Sequence, residues 1–201
     1  MYAEKYDDLD DGSIADALGI NELREQLIPL AQGFVLEVGV GTGINLRYYN
    51  EAVTRLVALD YSEKMLQQAK QKAERIPSLM EKTSFLQGSV DSLAFPDSYF
   101  DTVIDTFSMC VFSNPQKAIS EMKRVLKSDG KLLLLEHTKS QLLGLGTYQD
   151  IVAKPVKALG KGCAWNQNVD QIISDNGLNV KTRESRLAGL ITLYTCVKKD
   201  M

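Results

Sequence analysis

Three glycines spaced two apart are the first feature of this sequence with clear chemical potential. Gly39, Gly41 and Gly43 follow directly on an apolar run at residues 34–38. Glycine has no Cβ atom, so the backbone can turn tightly there and approach a ligand closely. Where a helix begins after such a turn, its first N–H groups point at polar atoms of the ligand. The stretch therefore predicts a nucleotide-like ligand at the end of a buried strand.

Two ionisable side chains stand at the ends of other predicted strands. Asp60 follows a strand at residues 55–59 and lies 19 positions beyond Gly41, near the spacing of about 20 at which a βαβ unit places an acid on the neighbouring strand. His137, the single histidine, follows a strand at residues 131–136. A neutral imidazole can take a proton from a thiol, hydroxyl or amine. His137 is therefore a candidate general base, and a hydrogen-bonded structural histidine is the alternative.

Alternating strands and helices set where these residues lie. Such alternation is typical of a parallel sheet with helices on both faces. The predicted fold class is α/β, a Rossmann-like sheet of seven strands that is mostly parallel. The last strand is expected to be antiparallel, because no long helix separates the final two. The strands are predicted at residues 34–38, 55–59, 83–87, 101–106, 131–136, 178–184 and 191–198.

The carboxyl ends of these strands predict a shared binding rim. Ligands of open α/β sheets bind outside the carboxyl ends of the strands. Gly39, Asp60, Ser89, Thr106 and His137 all stand at such ends in the sequence. We therefore expect them to line one site.

The 201 residues fit a single domain that is large enough to bury a full core. Four parts are predicted within it. They are an N-terminal cap at 1–33, a cofactor-binding core at 34–137, a partly helical insertion on the substrate side at 138–164, and a C-terminal helix with two strands at 165–201.

Composition excludes several classes of protein. The formal net charge is −3 and no long Lys/Arg run occurs, which argues against nucleic acid as a partner. Cys110, Cys163 and Cys196 have neither CxxC nor Cys/His metal spacing, so we predict no disulfide framework and no metal site. Each cysteine reads as a buried apolar residue, although Cys110 could also line an acceptor pocket.

No stretch of the sequence predicts an integral membrane segment. The longest strongly apolar run, residues 132–135, is far too short to span a bilayer. The N-terminus is polar and acidic, unlike a secretory signal. The expected location is cytoplasmic or, if a presequence has been removed, mitochondrial. Peripheral membrane contact stays open, as does the oligomeric state.

Five ordered motifs give the chain a resemblance to a known family. It is similar to the class I S-adenosylmethionine-dependent methyltransferases, and within them to the methyltransferase domain 11 type. That group includes quinone, phospholipid and thiol methyltransferases, and residues 106–110, 136–137 and 162–163 resemble its thiol and mitochondrial branches. The five motifs lie at residues 35–43, 59–66, 88–97, 100–104 and 124–132.

The resemblance implies S-adenosyl-L-methionine as cofactor and a role for several residues. Gly39 and Gly41 would lie beside the methionine part, Glu37 would contact its amino group, and Asp60 would accept hydrogen bonds from both ribose hydroxyls. The other implied cofactor contacts are Tyr61 and Met65 on the adenosine, Ser89 and Val90 at the adenine, Thr106 at the rim, and Tyr6 folding over from the cap. Ser89 stands where the family usually has an acid, so the adenine contact departs from the pattern.

The implied activity is methyl transfer to a small or lipophilic acceptor, a thiol, hydroxyl or amine, by in-line displacement. The expected partner is therefore a small molecule or a lipid. Two alternatives remain at this point. One is a non-catalytic partner or assembly protein that keeps the cofactor-binding fold. The other is an NAD-dependent oxidoreductase, whose GxGxxG turn this sequence does not complete because Ile44 follows Gly43.

Overall fold

The computed structural model describes residues 13–159 and 162–199. Within them, seven strands form one sheet, and α-helices flank it. The strands are β1 Gly33–Val38, β2 Val53–Asp60, β3 Thr83–Gln87, β4 Phe100–Thr106, β5 Leu126–His137, β6 Leu178–Arg186 and β7 Ile191–Lys198. The helices are α1 Ser13–Ala17, α2 Ile20–Leu27, α3 Glu63–Ala73, α4 Pro77–Met80, α5 Pro115–Val125, α6 Leu145–Leu159 and α7 Val169–Asp175. Short 3₁₀ turns lie at Ile28–Leu30, Ile44–Tyr48, Met109–Val111 and Leu187–Gly189.

The sheet confirms the predicted architecture. Its strand order is β3-β2-β1-β4-β5-β7-β6. Every pair among the first five strands is parallel, and β7 runs antiparallel to both β5 and β6. The short link between β6 and β7 allows only a hairpin, which is why the final strand reverses direction.

Apolar side chains cover both faces of the sheet, as a parallel sheet requires. Successive residues of a strand point to opposite faces, so Val35 packs into one layer and Leu36 into the other. The first layer also contains Leu23 and Leu27 of α2. The second contains Met122 of α5. The sheet is therefore held rigidly, and the loops at its carboxyl end are placed by that frame.

The apolar spacing of residues 14–31 predicts one helix and the stretch at 42–50 after the glycine turn predicts another, but the structure differs at both and glycine explains the differences. The helix expected at residues 14–31 is interrupted at Gly19, which has a left-handed φ of 69°, and it ends in a 3₁₀ turn that contains Pro29. The helix expected after the glycine turn is only the 3₁₀ turn Ile44–Tyr48. Gly43, with a φ of 81°, precedes that turn, and the chain becomes extended again at Tyr49.

The insertion at residues 138–164 contains a regular element as well as irregular chain. Helix α6 takes up fifteen of its residues despite an internal Pro155. Hydrogen bonds join the chain after α6 to the residues that follow β5. One of them runs from the backbone N–H of Lys139 to the carbonyl of Gln167 at 2.9 Å. This part of the chain therefore lies beside the carboxyl end of β5.

Candidate active site

One cavity of about 950 Å³ lies across the carboxyl ends of the strands. Its volume is at the upper end of the range of about 300–1,000 Å³ typical of small-molecule sites. The predicted site residues that line it are Gly39, Gly41, Asp60, Tyr61, Met65, Ser89, Val90, Thr106 and His137. Glu37 lies behind this wall, and Tyr6 falls outside the described residues.

Packing against neighbouring residues shapes the glycine turn. Gly39 has a φ of 64°, and a Cβ atom built there would stand 2.4 Å from Oγ of Ser108. Gly41 has a φ of 56°, but a Cβ there would meet only the carbonyl oxygen of Gly39 at 3.9 Å. Gly39 is therefore required by packing against the loop after β4, whereas Gly41 leaves space on the cavity wall.

Asp60 is held by backbone donors on both sides. Its Oδ2 atom accepts a hydrogen bond from the N–H of Gly41 at 2.8 Å, and its Oδ1 atom accepts one from the N–H of Ser62 at 2.8 Å. A carboxylate offers about four acceptor positions, so two remain for a ligand. The carboxylate lies half-buried on the cavity wall, where it can receive a pair of hydroxyl groups.

Glu37 is buried, and its carboxylate is satisfied by other side chains. Asn45 donates to Oε1 and Tyr49 donates to Oε2, both at 2.8 Å. Burial raises the pKa of Glu37 to about 7. Asn45 also donates to Oγ1 of Thr106 at 2.9 Å, and these two residues do line the cavity. Glu37 therefore holds Asn45 on the cavity wall from behind, and its contact with the cofactor stays a prediction.

Asp91, which was not among the predicted site residues, lines the cavity beside Ser89. Asp91 accepts from the hydroxyl of Ser113 at 2.7 Å through Oδ2, while its buried Oδ1 atom has no partner. Ser89 instead accepts from the backbone N–H of Asp91 at 3.2 Å. The sequence does carry a signal for Asp91, because this acid stands two residues after Ser89, the serine found where the family usually has an acid.

A pair of buried acids supports the floor of the site. Asp105 near the end of β4 and Glu136 near the end of β5 have no exposed surface. Burial raises the pKa of Asp105 to about 7 and raises the pKa of Glu136 well above its usual value. Burial therefore disfavours the charged form of both carboxyls. The hydroxyl of Ser108 donates to Asp105, which couples the pair to the glycine turn.

A cluster of two thiols and one imidazole forms the other end of the cavity. The sulfur of Cys163 lies 3.6 Å from Nδ1 of His137, and the ligand atoms of Cys110, His137 and Cys163 all lie within 4.8 Å of one another. The hydrogen bond from Cys110, assisted by His137, lowers the pKa of Cys163 to about 5. The pKa of Cys110 is raised by that same bond and by burial. No motif in the sequence joins these three residues.

An aromatic residue in a strained conformation stands beside the cluster. Phe107 has a φ of 54°, which is uncommon outside glycine. Its ring lies 4.9 Å from the ring of His137 and 5.2 Å from the guanidinium carbon of the buried Arg24. The backbone N–H of Phe107 donates to the carbonyl of Leu135 at 2.8 Å, so β5 holds the residue in place.

Comparison of this chain with known proteins agrees with the geometry of the cavity. A family model described as a methyltransferase domain matches residues 36–134. The phosphatidylethanolamine N-methyltransferase of Cereibacter sphaeroides is 32% identical over 150 residues, which cover 74% of this chain and 71% of that protein. The chain belongs to the class I S-adenosylmethionine-dependent methyltransferases.

Two further comparisons extend over almost the whole chain. The mitochondrial methyltransferase OMS1 of Saccharomyces cerevisiae is 28% identical over 90% of this chain, which spans only 41% of that protein. A crystal structure of an S-adenosylmethionine-dependent methyltransferase from Aquifex aeolicus superposes with a TM-score of 0.69 at 22% identity, covering 97% of this chain and 98% of that one. The latter likeness concerns the fold alone.

Family membership fixes the class of the enzyme and its methyl donor. The chain is a methyltransferase domain of the class that uses S-adenosyl-L-methionine, and the NAD-dependent alternative is set aside. Among the described residues, no helix has both the length and the apolar character needed to cross a membrane.

Proposed function

We propose that this methyltransferase acts on a small lipophilic acceptor, a thiol, hydroxyl or amine, held against the Cys–His end of the cavity. The observation that carries the proposal is the composition of that wall. Around His137 and the two cysteines, the lining is mostly apolar: Phe107, Val111, Phe112, Val156 and Trp165. Apolar pockets with a few convergent polar groups are typical of sites for small organic ligands.

The polar end of the cavity fits the cofactor. S-adenosyl-L-methionine, when bound, supplies a methyl group on a positively charged sulfur. Asp60 would accept from the ribose hydroxyls, the unpartnered oxygen of Asp91 would accept from the adenine amino group, and the turn at Gly39 would let the methionine part lie against the backbone. Arg24, buried on the same wall, favours the methionine carboxylate.

Tyr61 and Met65 would pack on the two faces of the adenosine. Both line the cavity just beyond Asp60, and 81% of the Tyr61 side chain is exposed. An aromatic ring this exposed is available to cover a ligand. Val90 would close the adenine end, because it is buried in the second apolar layer and also lines the cavity. Tyr6 stays a predicted contact from the N-terminal cap.

His137 would take the proton that the acceptor loses. Its Nδ1 atom faces Cys163, and the ring lies at the cavity wall. The imidazole would hold the proton that the acceptor gives up when it receives the methyl group. Alignment in a water-poor pocket supplies most of the remaining acceleration, since the donor is already activated.

The named activities of relatives support a lipophilic acceptor. The relative from Cereibacter sphaeroides is named for phosphatidylethanolamine, a membrane lipid with an amine. We infer a cytoplasmic or mitochondrial location, and the name of the yeast relative supports the latter. Because this chain spans less than half of the yeast protein, the activity of that whole protein is not carried over.

Helix α6 and the residues before it offer a surface for peripheral membrane contact. Leu142, Leu143 and Ile151 are exposed, and Lys154 and Lys157 on the same helix are exposed as well. Exposed apolar and basic side chains together favour anionic lipid surfaces. Co-sedimentation with anionic vesicles should be lost when Leu142 and Leu143 are both changed to Asp. Equal binding to neutral vesicles, or binding that survives the change, would contradict this surface.

A methyl-release assay tests the proposed activity. The protein is incubated with S-adenosyl-L-methionine and, in turn, an alkanethiol, a phenol, a quinol and phosphatidylethanolamine vesicles. We expect S-adenosylhomocysteine to accumulate with one lipophilic acceptor and not with its short hydrophilic analogue. If calorimetry detects binding of S-adenosylhomocysteine but no acceptor yields product, the assembly-partner alternative would replace this proposal.

A further inference from the structure

Cys110, His137 and Cys163 form a compact set of metal ligands that the sequence spacing conceals. Cys110 lies in the 3₁₀ turn after β4, His137 ends β5, and Cys163 follows α6. All three line the cavity, and their ligand atoms lie within 4.8 Å of one another. We propose that these residues bind one divalent transition metal of the zinc type, with a fourth position open to the cavity.

The separation between the sulfur of Cys163 and the imidazole nitrogen of His137 suits a tetrahedral ion. With Zn–S bonds of about 2.3 Å and Zn–N bonds of about 2.0–2.1 Å, the tetrahedral angle places sulfur and nitrogen about 3.6 Å apart. Sulfur of Cys163 and Nδ1 of His137 are 3.6 Å apart. An S–H···N hydrogen bond would give a similar distance, so this pair alone does not distinguish a metal site from a hydrogen bond. The position of the third ligand favours the metal site. Cys110 brings a second sulfur within the same small volume.

The donor set selects the kind of ion. Thiolate and imidazole ligands favour zinc, copper and iron over magnesium or calcium, which prefer oxygen. Two thiolates balance the charge of a divalent ion, so the assembled site is neutral. Neutrality matters because Cys110 is buried and an unbalanced charge there would be strongly unfavourable.

Hydrogen bonds that do not involve the thiols join the loop of Cys163 to the turn of Cys110. The N–H of Ala164, next to Cys163, donates to the carbonyl of Cys110 at 2.8 Å. The side chain of Gln167 donates to the carbonyl of Met109 at 3.2 Å, and that of Gln149 donates to the carbonyl of Trp165 at 3.0 Å. The loop that carries Cys163 is therefore fastened to the turn that carries Cys110, and the site is preorganised.

Three protein ligands leave a coordination position for a further group. Zinc sites that keep such a position are catalytic rather than purely structural. Here that position would face the cavity, where the acceptor is proposed to lie. A metal-bound imidazole has no lone pair left for a proton, so an acceptor thiol would release its proton to solvent as it binds the ion, and the general-base role of His137 belongs to the metal-free protein. A thiol is the acceptor class that a zinc–thiolate site would bind best, and this last step rests on the proposed methyl transfer.

Cobalt(II) titration of the full-length, reduced, metal-free protein tests the site. We expect one equivalent to bind, with thiolate-to-cobalt charge-transfer absorption and the visible bands of a tetrahedral ion, and zinc should displace it. Cys163→Ser and His137→Gln should each lose stoichiometric binding. Cys196→Ala is the matched control and should retain it, because Cys196 is buried in β7 and absent from the cavity lining.

Three results would overturn the metal site. They are no cobalt binding by the reduced wild-type protein, equal binding by Cys163→Ser, or a Cys110–Cys163 disulfide with no metal in the protein as purified. Adding a small alkanethiol to the cobalt protein should increase the charge-transfer absorption, and no change would refute the open position. Calorimetric binding of S-adenosylhomocysteine by Cys163→Ser checks its folding and keeps this test separate from that of methyl transfer.

Discussion

The two ends of the cavity are built in opposite ways. The proposed cofactor end is encoded largely by neighbouring residues, since the glycine turn, Asp60 and Met65 lie within one strand–turn–strand–helix unit. The proposed acceptor end is assembled from Cys110, His137 and Cys163, which belong to three separate elements. Local motifs can therefore describe the methyl donor, whereas the acceptor depends on how distant segments pack.

The two ends also differ in how their polar groups are supported. At the cofactor end, backbone N–H groups fix Asp60 at 2.8 Å on both sides. At the acceptor end, His137 and Cys163 contact each other directly, and the buried pair Asp105 and Glu136 lies in the neighbouring strand ends. We therefore expect substitutions at one end to alter cofactor affinity and those at the other to alter turnover.

The largest effect is expected at His137. Changing His137 to Ala should lower turnover by about 10²–10⁴-fold, the range typical of a lost general base, and leave the affinity for S-adenosylhomocysteine unchanged. Steady-state kinetics and calorimetry give the two readouts. Unchanged turnover would show that His137 is a structural residue. An equal loss of cofactor affinity would show that the two ends of the cavity do not have separate roles.

The next largest effect is expected at Asp60. Asp60→Ala removes charge-assisted hydrogen bonds worth about 1.5–3 kcal/mol each, so affinity for S-adenosylhomocysteine should fall by at least about tenfold. Asp129→Asn is the control, because Asp129 is exposed and lies outside the cavity lining. Calorimetry that finds equal affinity in Asp60→Ala and in the control would remove Asp60 from the site.

The pH dependence of stability tests the buried Glu37. Its pKa of about 7 in the folded protein exceeds the usual 4.5, so the folded state binds the proton more tightly than the unfolded chain does. This stabilisation is complete below pH 4.5 and is lost as the pH rises through 7, at up to about 1.4 kcal/mol per pH unit. Glu37→Gln should reduce that slope in urea unfolding of the ligand-free protein. The same slope in wild type and variant would refute the raised pKa.

The smallest effect separates two glycines of the same turn. Gly39→Ala combines a left-handed φ with a clash against Ser108, and it should lower the free energy of unfolding by about 1–3 kcal/mol. The added Cβ of Gly41→Ala meets no close neighbour, so the free energy of unfolding of this variant should be closer to that of wild type. Denaturant unfolding of both variants checks the difference. A larger loss of unfolding free energy in Gly41→Ala than in Gly39→Ala would show that packing against Ser108 is not what requires glycine at position 39.

The sequence predicts the structure best where residues that act together are also close in chain order. The strand at residues 83–87, the sheet with its reversed last strand, and the family were all predicted correctly. The Cys–His cluster was not predicted, because loop packing brings Cys163 to His137 across 26 residues. The hydrogen bonds of Glu37 were also hidden, since they depend on the short 3₁₀ turn that replaced an expected helix.

A crystal structure with S-adenosylhomocysteine tests the central claim most directly. The account predicts that the ribose hydroxyls contact Asp60, that the adenine amino group contacts Asp91, and that the sulfur faces the wall formed by Cys110, His137 and Cys163. A ligand whose sulfur points away from that wall, or one bound outside the cavity, would contradict the assignment of the two ends.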